Sequence, residues 1–185
     1  VKQVLDKNEY ELKILGRDPE KLRPTTEGNF TRLPYDDAVK MLQDAGRDFK
    51  WGDDFGAPDE GYISEQYDRP VFIVNYPTSI KSFYMKKNPD NPKEYLCADV
   101  IAPEGYGEIF GGSEREGNYE VLKQQILAAG LNLEDYQWYL DLRKFGGVPH
   151  SGFGMGFERT IAWVCHLDHI REAIPFPRLI NRMQP

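Results

Sequence analysis

Apolar and polar positions along the chain fall into two periods, one near that of a helix and one of two residues. Residues 1–15 carry a helical spacing that Gly16 closes, and a polar stretch with prolines follows over 17–29. A short strand is expected at 30–33 and a helix over 35–42, stopped by Gly46. The Gly/Asp/Pro-rich residues 51–61 read as a loop, with a short helix beginning near Ile63. Residues 71–76 (Val-Phe-Ile-Val-Asn-Tyr) form a nearly continuous β-branched and apolar run, which predicts a central strand covered on both faces. Further strands are expected at 82–86 and 95–101, separated by the turn-rich Asn88-Pro89-Asp90-Asn91-Pro92. Residues 119–129 are amphipathic, with Val121, Leu122, Gln125 and Ile126 inward and Gly130 as the helix stop, and a further helix covers 134–144. Consecutive strands joined by short turns, with helices grouped rather than interleaved, predict an α+β fold: a mainly antiparallel sheet flanked by helices.

One stretch departs from ordinary core patterning. Residues 150–159 read His-Ser-Gly-Phe-Gly-Met-Gly-Phe-Glu-Arg, with Gly152, Gly154 and Gly156 at every second position. In a strand, that spacing leaves one face without side chains, so a flat ligand or another backbone can lie against it. The pattern then turns helical, with Phe157, Ile161, Ala162, Val164 and Cys165 expected on the buried side. Arg159, in the first turn, is expected to point back toward the glycines, where it can grip a phosphate or stack on a base. A nucleotide site follows from this reading; tight strand packing is the plainer alternative.

A second polar concentration lies at residues 107–116, Gly-Glu-Ile-Phe-Gly-Gly-Ser-Glu-Arg-Glu. Glu108 follows Asp99 across a turn containing Pro103 and Gly105, so a hairpin is expected to bring the two acids face to face. Like charges opposed in a sheet repel unless a cation lies between them. Magnesium is commonly held by one or two carboxylates together with substrate phosphates. The alternative is two solvated acids on an edge hairpin.

Composition narrows the classes. A 185-residue chain that is 40% hydrophobic and 13% aromatic can bury a core and is not a disordered tail. The net charge of −7 provides no basic footprint for nucleic acid over the chain as a whole. Cys97 and Cys165 lack metal-ligand spacing, so reduced thiols in a cytoplasmic protein are expected, and no apolar run approaches membrane-spanning length. His150 beside Ser151 suggests a hydrolase only weakly, because neighbours on a strand point to opposite faces. His166 and His169 have no evident third metal ligand, and helix-terminal roles suit them better.

The ordered set of segments resembles the catalytic domain of class II aminoacyl-tRNA synthetases, in the aspartyl/asparaginyl branch. The stretch Gly152 to Arg159 is similar to that class's motif three. Further support comes from Tyr76-Pro77, from Ile80 through Lys86, from Gly107-Glu108-Ile109 through Arg115, and from Ile170 through Arg178. The wording Gly111-Gly112-Ser113-Glu114-Arg115-Glu116 is similar to the asparaginyl member. The resemblance implies ATP and Mg2+ as cofactors, with Asp99 and Glu108 holding the metal and Arg159, Gly152, Gly154 and Gly156 binding the nucleotide. It implies that Arg115 reads the substrate side chain, although a surface ion pair with Glu114 or Glu116 is the alternative for that arginine. Lys81 and Tyr84 are expected near the amino acid. Motifs one and two are not found, so residues 1–185 read as the C-terminal portion of the catalytic domain of a longer enzyme. That enzyme is expected to be a homodimer charging tRNA(Asn) with asparagine, the isolated portion being inactive. An aspartyl enzyme, an amide-forming paralogue and a noncatalytic interaction module are the other readings.

Overall fold

The computed structural model describes residues 1–184. Its elements in chain order are α1 (Lys2–Ile14), α2 (Arg23–Thr26), β1 (Arg32–Pro34), α3 (Tyr35–Asp44), α4 (Ala57–Ser64), β2 (Val71–Val74), β3 (Cys97–Ala102), β4 (Gly107–Glu114), α5 (Tyr119–Ala128), α6 (Gln137–Lys144), β5 (Ser151–Met155) and α7 (Phe157–Cys165). The strands make one sheet in the order β1-β2-β3-β4-β5. Only β1 and β2 run parallel; the other neighbours are antiparallel. The α+β architecture expected from the sequence is therefore present, as a mixed sheet with helices against it.

Each face of the sheet has its own core. Leu33, Val71, Ile73, Cys97 and Ile101 pack beneath α3 and α4 with Tyr35, Val39, Leu42 and Ile63. On the opposite face Val100, Ala102 and Ile109 meet Leu5 and Leu12 of α1 and Trp163 and Val164 of α7. A smaller cluster of Leu122, Ile126 and Leu140 joins α5 to α6. Arg17, 2% exposed, pairs through both guanidinium nitrogens with Glu104, at 2.8 and 2.6 Å, and so ties the segment after α1 to the β3–β4 turn.

Several expectations are corrected. β2 is buried at Val71 and Ile73 but only partly at Phe72 and Val74, because the helices cover this end of the sheet on one face alone. Residues 82–86 do not form a strand; Met85 makes an isolated bridge with Arg115, and Lys87 just after them makes another with Tyr95. The helix expected near Ile63 starts earlier, at Ala57, because Asp59 accepts the Gly56 N–H and Pro58 suits a first turn. Val121 and Phe157 are exposed, at 40% and 63%; Trp163 provides the buried anchor of α7 instead.

β5 lies at the end of the sheet, hydrogen-bonded to β4 only, and Phe153, Met155 and Phe157 stand exposed along and just beyond it. No helix among the described residues is long and apolar enough to cross a membrane.

Candidate active site

Helix α3 covers β1 and β2 on one sheet face and α4 reaches over one end of β3 and β4, and the rest of that face, toward β5, is left open. On that open face the pairings Asp99↔Gly111↔Gly154 and Ser113↔Gly152 lay three glycines side by side, with polar groups around them. A cavity of about 320 Å³ stands over this floor, bounded by Asp99 and Glu108 at one end and Tyr84 and Arg115 at the other.

Asp99 and Glu108 do converge, though not by simple hairpin pairing. In β4, Gly111 is opposite Asp99 and Phe110 opposite Val100, but Ile101 faces Glu108, so Ile109 is an extra residue. In such a bulge the two strands fall out of alternation by one position. Ile109 and Phe110 both join the core on the other face, and Glu108 is turned onto the face of Asp99. Without the bulge Glu108 would point away. The two carboxylates meet above Gly111: a Cβ there would lie 2.6 Å from Asp99 Oδ1 and 2.9 Å from Glu108 Oε1.

Charge at this end is only partly balanced. Lys81 Nζ donates to Asp99 Oδ2 at 2.8 Å and lies 4.0 Å from the centre of the Tyr76 ring. Burial works against the Lys81 ammonium, but Asp99 outweighs it and keeps the group's pKa above the usual lysine value. Glu108 takes no hydrogen bond or ion pair at its carboxylate among the described residues, and burial together with Asp99 raises its pKa above the usual carboxylate range. Glu60 of α4, which sequence reasoning missed, stands behind it. Its Oε2 accepts the Glu108 N–H at 2.9 Å, and its own pKa is raised by burial. A solvated-looking acid on a short helix, 48 residues away in sequence, carries no signal of that contact.

Two hard oxygen donors converging where one lacks any partner fit a divalent cation of the magnesium type. No group of three or more His, Cys, Asp or Glu residues with metal-holding geometry occurs among the described residues, so further ligands would come from substrate oxygens or water.

The other end is dominated by Arg115. Its guanidinium lies 4.6 Å from the Tyr84 ring centre and donates to Ser113 Oγ, and its backbone N–H donates to the His150 carbonyl. Glu114 pairs with Lys86 at 2.5 Å, and Arg115 makes no ion pair among the described residues, which removes the surface-pair alternative. Arg159 is exposed and donates to the Glu108 carbonyl at 2.9 Å, its stem folded over Gly156. It thus borders the acid end rather than the glycine floor.

The three alternating glycines have three different surroundings. A Cβ at Gly154 would meet nothing within 4 Å, so this glycine opens to the cavity; Gly152 lies against the Arg115 guanidinium, and Gly156 precedes α7 beneath Arg159. His150 is near the Val148 carbonyl and forms no pair with Ser151. His166 ends α7 in a left-handed conformation beside the Tyr106 hydroxyl, and His169 caps the helical turn after it.

The model of the family described as tRNA synthetases class II (D, K and N) matches residues 1–180. Asparagine--tRNA ligase of Lactobacillus helveticus is 97% identical over 185 residues, all of this chain and 43% of that protein. The ligase of the same name from Lactobacillus delbrueckii subsp. bulgaricus is 77% identical over the same span. The chain thus spans less than half the length of these relatives. Among solved structures, asparaginyl-tRNA synthetase from Pyrococcus horikoshii complexed with asparaginyl-adenylate matches with a TM-score of 0.95 and 48% identity, over 100% of this chain and 42% of that one. An aspartyl tRNA synthetase from Entamoeba histolytica matches with a TM-score of 0.79 and 29% identity, over 85% and 33%. With the family model covering nearly every residue, the chain belongs to the class II tRNA synthetases of the D, K and N group.

Proposed function

We propose that this chain supplies much of the amino-acid and nucleotide site of an enzyme that activates asparagine with ATP and transfers it to tRNA(Asn). The observation that carries this reading is the cavity with an acid pair at one end and a fixed guanidinium at the other, over a floor of glycines. Activation joins the amino-acid carboxylate to the α-phosphate of ATP and releases pyrophosphate. No protein nucleophile is required, and positioning and charge neutralisation supply the rate.

Each residue's part follows from where it stands. Asp99 and Glu108 are the residues that would hold Mg2+. Magnesium bound there would neutralise negative charge on the phosphate oxygens. Arg159 adds positive charge beside Glu108 and clamps the nucleotide. Gly111 and Gly154 let substrate lie close to the sheet. Arg115 donates to the side-chain carbonyl of asparagine, with Lys81 and Tyr84 bordering the same space. The names borne by the relatives at 77–97% identity support asparagine over aspartate. Transfer to tRNA, assembly as a homodimer and a cytoplasmic location belong to the same reading.

Pyrophosphate exchange by a full-length protein carrying this chain tests it. Exchange should depend on asparagine, with aspartate supporting it poorly. Preference for aspartate would transfer the assignment to the aspartyl branch, and exchange with neither amino acid would favour an interaction module.

A further inference from the structure

The contact between Arg115 and Gly152 carries an assignment beyond that of a nucleotide-binding glycine. A Cβ built on Gly152 would fall 2.8 Å from Arg115 Nη2 and 3.3 Å from both Cζ and Nε. The guanidinium therefore fills the space that a Gly152 side chain would need. Its other neighbours are the Tyr84 ring, 4.6 Å from Cζ to the ring centre, and the Ser113 hydroxyl, which fixes Nη1. An arginine in such a slot has its planar fork fixed in orientation, which a free arginine side chain lacks.

We propose that Gly152 is a positioning residue for amino-acid selection: its missing side chain leaves the space that the Arg115 guanidinium occupies where it meets the substrate amide. This rests on the reading that Arg115 contacts the asparagine side chain. Gly154, two residues on, has nothing within 4 Å above it and keeps the role of open floor. One glycine motif is thereby divided between two substrates.

The nature of the clash makes the assignment testable. At Gly112 a Cβ would lie 2.8 Å from the Gly152 carbonyl, so the sheet itself would have to move. At Gly152 the obstructing atoms are the far end of a long side chain, which can yield while the backbone stays. Gly152→Ala is thus expected to fold and to displace the guanidinium.

The experiment is pyrophosphate exchange by the full-length enzyme with asparagine and ATP varied separately. Gly152→Ala should raise KM for asparagine by about tenfold or more and KM for ATP by less than about threefold, the signature of a lost oriented contact to one substrate. Gly154→Ala should burden ATP at least as heavily as asparagine. The double variant Gly152→Ala/Arg115→Lys should lose no more than Arg115→Lys alone, because both changes act through one guanidinium. Tyr84→Leu, which removes the ring beside the guanidinium, should repeat the asparagine-selective defect and cost more than Tyr84→Phe; this arm decides the matter should Gly152→Ala fail to fold. Equal effects of Gly152→Ala on both substrates, or losses that multiply in the double variant, would overturn the proposal. Failure of the unmodified enzyme to use asparagine would instead overturn the functional reading beneath it.

Discussion

At the Arg115 end of the cavity the charged group is held by three neighbours: a ring, a hydroxyl and the open space over a glycine. At the acid end, earlier along β4 and on the adjacent β3, Glu108 has no partner at its carboxylate among the described residues, and Asp99 is balanced by a single lysine. The first end is organised by shape before any ligand arrives. The second holds its geometry through backbone contacts, the bulge at Ile109 and the Glu60 carboxylate on the Glu108 N–H, while its charges repel. A directional contact needs a rigid donor, whereas a metal site needs charge that only the metal satisfies. On the proposed reading, each end is constrained in the property its ligand does not supply.

The widest separation should appear in activation rate. Asp99→Asn or Glu108→Gln in the full-length enzyme is expected to lower pyrophosphate exchange at saturating Mg2+ by about a hundredfold or more, the scale of one lost electrostatic contact to a transition state. Rates near wild type would reduce the pair to an acidic hairpin. Arg115→Lys should cost less, roughly tenfold to a hundredfold in kcat/KM for asparagine, because charge remains while the fork is lost. KM for ATP should stay within about threefold of wild type, since the loss is confined to one substrate's contact. Equal losses for both substrates would erase the distinction between the ends.

The smallest effect concerns stability and has opposite signs at the two ends. Glu108 has a raised pKa, so its contribution is intact below the ordinary carboxylate pKa and is lost as pH rises through the folded-state value. Without Mg2+, Glu108→Gln should melt slightly higher than wild type at neutral pH, by no more than about 4 °C, and the gap should close as the pH is lowered. Mg2+ should raise the wild-type melting temperature more at pH 8 than near pH 5, since its ligands must be ionised. Tyr84→Leu, which removes packing, should melt lower at every pH. Calorimetric melting curves across that range decide both signs.

Much of this was legible in the sequence, for identifiable reasons. The glycine alternation, the Gly111–Glu116 wording and the hairpin after Asp99 are local patterns, and each falls where expected. What was not legible depends on contacts distant in sequence or on counting. Residues 82–86 resembled a strand by propensity, but their one bridge is the isolated pairing of Met85 with Arg115. Phe157 has core chemistry at a position that stays exposed in this chain. Glu60 and the buried Arg17 resembled loop or surface residues because their partners, Glu108 and Glu104, arrive from the far hairpin. Gly152 was recognisable as special, but its neighbour was not, since a glycine leaves no trace of what fills its space.

The extra residue in β4 makes strand length, rather than composition, the guarded quantity in this part of the molecule. Side chains in a strand have only two sides to choose from, so the face on which Glu108 emerges behaves like the parity of a number. Replacing Ile109 by another apolar residue alters packing by degrees. Removing it reverses the parity of everything before it in the strand, taking an acid from the cavity without changing a single side chain there. Insertions and deletions between Gly107 and Phe110 are therefore forbidden in a way that substitutions are not, and length variation among variants of this chain should collect outside that span.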